Sequence, residues 1–331
     1  MDSLETIAFA RALIDIDSTT GREQAAGVWL ADRLGVLGYT VRTLPVERGC
    51  FNVLATLDEP VVAFSTHFDC VPPFRPSRVA DGRLYGRGAC DAKGILAAQV
   101  AACERLRAAG ERRVGLLFVV GEERGSDGAM AANAVANRVR YLVNGEPTDS
   151  QLALATRGVF RARLRATGRA AHSSTPEQGE SAIDKLLDAL LRLRTLPMPS
   201  DPQLGTTFYS VGLIEGGIAP NVISPSASAE VMFRTIGSAD DVLELLHRLT
   251  PLVSVEEVLR VPPVRMHTVP GFDARVFPFT TDIPFLDRWG QPLLFGPGSI
   301  LVAHTDGEFV SLAELEAAVD SYVRLARACL G

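Results

Sequence analysis

The spacing of hydrophobic residues changes along this chain. Segments with the helical spacing of apolar residues predict helices, and short apolar runs predict strands. Helical patterns fall near residues 3–16, 22–38, 92–109, 126–138 and 310–329. Short apolar runs typical of strands occupy residues 40–46, 51–57, 61–66, 114–120, 140–143 and 292–295. Because buried strands alternate with helices, we predict an α/β fold with a largely parallel sheet.

A different pattern occupies the middle of the chain. Residues 158–167 alternate between apolar and polar, as a half-exposed antiparallel strand does. A helix, two strands, a helix and a strand are predicted to follow at 179–195, 206–214, 226–235, 238–249 and 252–260. This order predicts a ferredoxin-like α+β module. We therefore predict two domains, one formed by residues 1–157 and 266–331 and the other, 158–265, inserted into it.

Composition narrows the class of protein. The 331 residues are 47% hydrophobic and 22% charged, with a net charge of −6, which suits about two folded domains and excludes a disordered chain. No apolar run approaches the ~18 residues of a membrane span, and the acidic balance argues against a nucleic-acid partner. The first residues carry acids where a signal peptide needs basic residues, and the five cysteines form no CxxC pair. We therefore expect a cytoplasmic protein with reduced thiols and no membrane partner.

Polar residues with metal-binding chemistry follow the apolar run at 61–66. His67 and Asp69 are two positions apart, so their side chains point to the same side of an extended chain. His67 could bind a metal while the carboxylate orients its ring, or both could be ordinary loop residues. Asp91, in the segment GRGACDAKG, could cap the following helix or be a metal ligand. It also replaces the third glycine of a dinucleotide-binding motif, which argues against such a site.

Further carboxylates and a histidine follow the other predicted strands. Glu122 and Glu123 repel each other directly after the run 114–120, and a cation would resolve the repulsion while one Glu stays free to take a proton. Glu146 and His304 also lie beyond strands. Imidazole and carboxylate ligands at one sheet edge suit a two-metal hydrolytic site, most naturally for zinc. Asp91 would bridge the metals, each of which would receive one His and one Glu.

Seven ordered segments carry a resemblance that covers essentially the whole chain. They are STHFDCVPP, GRGACDAKG, VVGEERGS, VNGEPT, GRAAHSSTPEQG, GIAPNVISPSASAEVMFR and FGPGSILVAHTDGEF. The sequence resembles the aminoacylase, acetylornithine deacetylase and succinyl-diaminopimelate desuccinylase family of dinuclear zinc metallohydrolases. The resemblance implies a zinc-exopeptidase-like catalytic domain at 1–157 and 266–331. It also implies that the inserted segment 158–265 is a lid through which the protein forms a homodimer.

The resemblance assigns each ligand to a metal. His67 and Glu146 would hold one zinc, Glu123 and His304 would hold the other, and Asp91 would bridge the pair. The implied cofactor is two divalent metal ions per subunit, with zinc expected and cobalt as the alternative.

Catalytic and substrate-binding roles are also implied by the resemblance. Asp69 would orient His67, and Glu122 would be the general acid and base. His172 would reach the active site, often that of a partner subunit, to stabilise the oxyanion, unless it is an ordinary surface histidine. Asn221 and Arg234 would hold the substrate and its carboxylate, although Arg234 could instead form an ion pair within the lid.

The implied reaction is metal-dependent hydrolysis of the amide bond of a small-molecule N-acyl amino acid. The motifs look closest to those of deacetylases of N-acetylornithine or N-acetylcitrulline in arginine biosynthesis. The alternatives are release of lysine or ornithine from an amino-group carrier protein, and desuccinylase or dipeptidase activity. A catalytically inactive metal- or ligand-binding descendant would have no need of Glu122, which is present. A serine hydrolase of the α/β class is disfavoured because no G-x-S-x-G occurs.

Overall fold

Seven α-helices are present in the computed structural model, which describes residues 1–331 apart from the side chain of Arg48. They are α1 (Ser3–Ile14), α2 (Gln24–Val36), α3 (Lys93–Ala108), α4 (Asp127–Asn133), α5 (Ala182–Leu193), α6 (Ala239–His247) and α7 (Leu312–Leu330). Four begin at a capping side chain, since Asp2, Ser181, Ser238 and Ser311 each accept a hydrogen bond from a first-turn N–H. None of the described helices is both long enough and apolar enough to cross a membrane.

The strands lie between these helices along the chain. The first nine are β1 (Thr40–Pro45), β2 (Phe51–Thr56), β3 (Val62–His67), β4 (Arg78–Ala80), β5 (Arg83–Tyr85), β6 (Val114–Val119), β7 (Tyr141–Asn144), β8 (Leu152–Thr156) and β9 (Gly158–Thr167). The others are β10 (Ser200–Asp201), β11 (Gly205–Thr206), β12 (Phe208–Gly216), β13 (Ser226–Thr235), β14 (Ser254–Val261), β15 (Val264–Arg265), β16 (Ala274–Phe277), β17 (Gln291–Leu294) and β18 (Phe309–Ser311).

The chain divides into two compact units, each with a hydrophobic core of its own. The first unit comprises Met1–Leu154, Met266–Arg275 and Thr281–Gly331. The second comprises Ala155–Arg265 and Val276–Thr280.

A six-stranded sheet forms the centre of the first unit, in the order β1-β2-β6-β3-β7-β17. Strands β6, β3, β7 and β17 run parallel, whereas β1 and β2 add an antiparallel edge. Every residue of β3 and β6 is buried, as their continuous apolar runs predict. The predicted α/β fold is confirmed, with a mixed sheet. The parallel strands bring their carboxyl ends to one edge, where ligands gather in such sheets.

Helix α3 lies at the centre of the first unit's core. It packs against α1, α7 and β3, and thirteen of its residues are buried. Its N-terminal Lys93 is 1% exposed, and its Nζ donates to the carbonyl oxygens of Leu13 and Ile16 at 3.0 and 2.9 Å. One of the two lysines of the chain therefore fixes the start of α3 to the end of α1.

The second unit has the ferredoxin-like order of elements. Its antiparallel sheet runs β12-β13-β9-β14, and α5 and α6 pack on it. Alternate residues of β9 and β13 are buried, as the alternating sequence predicts. The first unit's small sheet β18-β5-β4, by contrast, was not predicted from the sequence, because its strands are only three residues long.

The helix predicted at 126–138 is the largest departure, since α4 ends at Asn133. Two hydrogen bonds from a segment far away in the chain involve polar groups at the end of this helix. The Trp289 indole N–H donates to the carbonyl oxygen of Ala132, and the Arg288 N–H donates to the Asn133 side chain. These long-range bonds, which no local pattern encodes, take the place of a further helical turn.

Candidate metal centre

Six residues with metal-binding or acid–base side chains meet at the carboxyl edge of the central sheet. His67 is the last residue of β3, and Asp91 lies two residues before α3. The turn after β6, the segment after β7 and the loop after β17 supply the others, which are Glu122, Glu123, Glu146 and His304. The parallel arrangement of the strands brings these distant positions together.

Asp91 faces both histidines. Its Oδ1 lies 3.0 Å from His67 Nε2, and its Oδ2 lies 3.3 Å from His304 Nε2. The side chain does not cap α3, because the N-cap residue is Ala92 and no side-chain capping bond is present there. A carboxylate that directs one oxygen to each of two imidazoles has the arrangement of a bridging ligand.

Each histidine also faces a glutamate of its own. His304 Nε2 lies 2.9 Å from Glu123 Oε1, and His67 Nε2 lies 4.0 Å from Glu146 Oε1. The ligand atoms of His67, Asp91 and Glu123 all lie within 4.8 Å of one another. Two histidine–glutamate pairs thus flank one shared aspartate.

The donor set fits divalent cations. Glu146 is 5% exposed, yet no described residue donates a hydrogen bond to its Oε1. A buried carboxylate oxygen without a donor is costly unless a cation neutralises it. Imidazole nitrogen and carboxylate oxygen are both ligands that zinc accepts. His67, Glu146 and Asp91 could therefore hold one cation, and Asp91, Glu123 and His304 a second.

Asp69 connects the first histidine to the glutamate turn. It is fully buried, and its Oδ1 lies 3.4 Å from His67 Nδ1. Its two oxygens also accept hydrogen bonds from the N–H groups of Glu122 and Glu123, at 3.3 and 3.2 Å. The preceding Gly121 has a φ of 77°, which a residue with a side chain rarely adopts. The carbonyl oxygen of Asp69 also lies 3.1 Å from His67 Nδ1. Asp69 therefore orients the His67 ring through its carbonyl and carboxylate, and its carboxylate also holds the turn that carries the two glutamates.

The charges in the cluster shift the pKa values of its histidines upward. Burial alone would lower the pKa of His67, but its hydrogen bonds to Asp69 and Asp91 outweigh burial and raise it well above the usual value. Hydrogen bonds to Asp91 and Glu123 raise the pKa of His304 to about 10. Burial would raise the pKa of Asp91, but the two histidines lower it below its ordinary value.

Other carboxylates in the cluster are shifted in the opposite direction. Burial raises the pKa of Glu122 well above its usual value, and the charges of Asp282 and Asp91 add to the effect while His67 opposes it. Burial likewise raises the pKa of Glu146, with a further contribution from Asp91. The raised pKa values of these two glutamates reflect the burial of several negative charges close together, which a divalent cation would offset.

Asp282 belongs to the same charged region, and sequence reasoning did not identify it. It is 1% exposed, and burial raises its pKa to about 7, which Ser126 and His67 partly oppose. No described residue gives either carboxylate oxygen a well-formed hydrogen bond. The one available sequence signal is an acid directly after Thr280 and Thr281, which is weak because the sequence pattern predicts no strand between residues 260 and 292.

The cysteines next to Asp69 and Asp91 are buried thiols. Burial raises the pKa of Cys70 to about 11 and that of Cys90 well above its usual value. The Cys90 thiol donates to the carbonyl oxygen of Ser299 at 3.5 Å. Neither side chain is among the residues that converge as ligands, so both are structural neighbours.

The three predicted substrate-side residues all lie in the second unit. His172 is exposed, and its Nδ1 lies 2.7 Å from Ser174 Oγ. The segments of His172 and Asn221 are adjacent, since the Ser173 N–H donates to the carbonyl oxygen of Asn221 at 3.0 Å. The structure therefore brings these two predicted residues together within the unit.

Arg234 stands on β13 with its guanidinium partly buried. Burial lowers the pKa of the guanidinium. Its Nη1 donates a hydrogen bond to Thr280 Oγ1 at 3.4 Å. No carboxylate of the described residues forms an ion pair with it, unlike the neighbouring Arg163, which pairs with Glu230 at 2.5 Å. The alternative of an ion pair within the inserted segment therefore does not hold for Arg234, whose charge is left available to an anion.

Comparison with known proteins identifies relatives of this chain among peptidases. The model of peptidase family M20/M25/M40 matches residues 63–328. A probable carboxypeptidase of Aspergillus clavatus is 36% identical over 98% of this chain and 82% of its own length. A tripeptidase of Staphylococcus aureus has the same fold, with a TM-score of 0.82 and 19% identity over the full length of both chains. A dinuclear metal-binding M20 peptidase of Bacillus subtilis covers 98% of this chain and 97% of its own, with a TM-score of 0.75 and 15% identity.

Proposed function

The chain belongs to peptidase family M20/M25/M40 and is a hydrolase, and we propose that its substrate is an amino acid acylated on nitrogen. The bond broken is the amide between the acyl group and the amino acid, whose own carboxylate stays free. The observation that supports the proposal most directly is the position of Asp91 between the two imidazoles of His67 and His304.

Two divalent cations are part of this proposal, with zinc first and cobalt as a substitute. His67 and Glu146 would hold one cation and Glu123 and His304 the other, with Asp91 shared between them. When bound, the cations would lower the pKa of a water molecule and polarise the acyl carbonyl.

Glu122 would move the proton that this hydrolysis requires. No described residue forms a hydrogen bond or ion pair with the Glu122 carboxylate. The backbone N–H of Glu122 donates to Asp69 Oδ1 at 3.3 Å. Burial raises the pKa of Glu122 well above its usual value, and a carboxyl group that binds a proton more readily suits a step in which it must accept a proton and then release it. Glu122 would take a proton from water and deliver it to the nitrogen of the leaving amino acid.

Residues of the second unit would bind the rest of the substrate. The unpaired guanidinium of Arg234 suits the carboxylate of the amino acid, since a guanidinium binds a carboxylate through parallel hydrogen bonds. His172 would donate to the oxyanion that forms from the acyl carbonyl, and Asn221 would contribute a further hydrogen bond.

Two substrate groups are candidates. The sequence motifs favour N-acetylornithine or N-acetylcitrulline, whose deacetylation would belong to arginine biosynthesis. The name of the Aspergillus clavatus relative favours instead a short peptide that loses its C-terminal residue. Both place a free carboxylate on the leaving amino acid, and both use the same site.

A substrate panel would test the proposal. Metal-free protein, reloaded with Zn²⁺ or Co²⁺, is incubated with N-acetylornithine, N-acetylcitrulline, N-succinyl-diaminopimelate and a dipeptide, and the released amine is measured. We expect metal-dependent release from at least one of them. The matched control is the α-carboxamide of the best substrate, which offers Arg234 no carboxylate and should be turned over much more slowly.

The other outcomes identify the alternatives. Release from a lysine- or ornithine-loaded carrier protein alone would replace the small-molecule substrate with a protein one. Binding of two cations per chain without turnover of any of these compounds would contradict the proposal and favour an inactive descendant.

A further inference from the structure

A buried ion pair joins the two chain segments that carry Asp91 and His304. Arg87 Nη1 lies 2.6 Å from Glu308 Oε2, and both residues are 2% exposed. Each is four positions from a candidate ligand, Arg87 before Asp91 and Glu308 after His304. We call these two residues the Arg87–Glu308 pair.

Glu308 fixes the turn that ends at Asp91. Its Oε1 accepts hydrogen bonds from the backbone N–H groups of Gly88, Cys90 and Asp91, at 2.9, 3.1 and 3.2 Å. Hydrogen bonds to an ionised acceptor are stronger than neutral ones. Three donors that converge on one oxygen therefore hold the backbone of this turn, and with it the direction of the Asp91 side chain.

Arg87 acts on the other segment in the same way. Its Nη2 and Nη1 donate to the carbonyl oxygens of His304 and Thr305, each at 3.3 Å. His304 has a φ of 63°, in the left-handed region that a histidine seldom occupies. The guanidinium thus holds this ligand in a backbone conformation that it would not favour by itself.

Stability is a poor explanation for this arrangement. Removing an arginine and a glutamate from water is costly, and apolar residues of similar volume often stabilise a fold equally well. What the pair adds is geometric, because one charge holds the Asp91 turn, the other holds the His304 backbone, and their attraction fixes the two segments to each other.

We propose that Arg87 and Glu308 are positioning residues that hold Asp91 and His304 in place for the cation these two ligands share. The proposal rests on the proposed function only in requiring that the site binds two cations. It does not depend on which substrate is hydrolysed.

Stepwise Zn²⁺ titration of the metal-free protein against a chromophoric chelator would test the pair. In Glu308→Gln the side chain keeps its shape, but its amide NH₂ must face either the guanidinium or the three backbone N–H groups. We expect affinity for the cation that Asp91, Glu123 and His304 would hold to fall about 10- to 100-fold, as is usual when a residue that orients ligands is lost. The cation held by His67 and Glu146 shares Asp91 but not His304, so its affinity should fall less, and the visible spectrum with Co²⁺ should change mainly for the site of His304.

The double variant Arg87→Met with Glu308→Gln separates positioning from folding. It leaves no unpaired buried charge, so its thermal unfolding should recover relative to either single variant, while affinity for the cation at His304 stays low. Glu104→Gln is the matched control, because Glu104 is also buried and pairs with Arg107 at 2.6 Å, but it contacts none of the candidate ligands. It should keep both affinities.

Two results would overturn the inference. One is Glu308→Gln protein that binds both cations as tightly as the parent chain; the other is a double variant that regains metal affinity together with stability. If the parent chain itself binds fewer than two cations, the proposed metal centre is wrong. If it binds two but hydrolyses nothing on the panel, the proposed substrate is wrong and the titration still decides the role of the pair.

Discussion

The role of each carboxylate in the metal centre depends on the charges and hydrogen-bond partners that surround it. Asp91 and Glu122 are both close to His67, yet the pKa of Asp91 is lowered and that of Glu122 is raised. Asp91 hydrogen bonds to two imidazoles, whereas Glu122 has no such partner and lies among like charges. Two acids with pKa values pushed in opposite directions are typical of a ligand and an acid–base group in one site.

Replacing Glu122 with Gln should separate binding from proton transfer. The variant keeps the size of the side chain and leaves every candidate metal ligand in place. We expect turnover to fall by about 10²- to 10⁴-fold or more, since a positioned acid or base contributes that much. Metal content should stay near that of the parent chain, as measured by elemental analysis of the purified protein.

An exposed glutamate serves as the control for this variant. Glu59 lies at the surface, where its carboxylate is 3.3 Å from Arg138, so Glu59→Gln should leave turnover unchanged. Normal turnover by the Glu122→Gln protein would remove Glu122 from the mechanism.

Among the secondary-structure elements, the parallel strands determine the site, because the residues that follow their carboxyl ends supply its side chains. Strand β3 pairs in parallel with both β6 and β7, so that Ser65 is opposite Asn144 and His67 is opposite Val119. The residues that follow each strand therefore emerge at one edge and at similar height. Parallel pairing is what converts separate loops into one site.

The two edges of the second unit's sheet differ in character. Strand β12 exposes Leu213 and Ile214, which are 56% and 59% accessible, whereas the opposite edge β14 carries Glu256, Glu257 and Arg260. An exposed apolar edge strand invites pairing with another strand, while charges on an edge discourage it. We propose that a second copy of the chain pairs with β12, which would make the protein a homodimer.

Charge on β12 should therefore prevent dimerisation. We expect the parent chain to have the mass of a dimer in light scattering after size exclusion, and Leu213→Arg with Ile214→Arg to have the mass of a monomer. Leu259→Arg, at an exposed apolar position on β14, is the matched control and should remain dimeric. A parent chain that is monomeric at every concentration tested would contradict the proposal.

At the scale of the whole molecule, the metal centre couples cation binding to stability and pH. Without a cation, the folded protein holds protons on groups whose pKa is raised above its value in the unfolded chain. The pKa of Asp282 is about 7 against 3.8, and that of His304 is about 10 against 6.5. Between these values the unfolded chain binds fewer protons than the folded one, so stability decreases as pH rises.

We therefore expect the metal-free protein to lose stability steadily from about pH 5 to about pH 9, as measured by urea unfolding after chelation. Saturating Zn²⁺ should stabilise the protein most at the upper end, because the cation replaces the protons that the ligands release. Asp282→Asn should remove part of the decline below about pH 7. A metal-free protein whose stability increases over this range would show that these groups do not control it.

The sequence by itself determined the helices and the longer strands of the fold, and the kinds of side chain at the site. Apolar runs at 61–66 and 114–120 predict buried strands, and polar residues directly after them, such as His67 and Glu123, predict ligands at one sheet edge. The buried strands are present as predicted, because periodicity and strand ends are encoded by neighbours along the chain. The role of the polar residues as metal ligands stays a prediction.

Only the tertiary structure decided which atoms face each other. The direction of each Asp91 oxygen, the place of Asp282 near the cluster and the contact of Arg87 with Glu308 all join residues far apart in the chain. The early end of α4 has the same origin, since Trp289 and Arg288 bond to its last residues. Such contacts depend on how the whole core packs, because many weak long-range interactions together determine each distance. A local sequence pattern therefore cannot predict them.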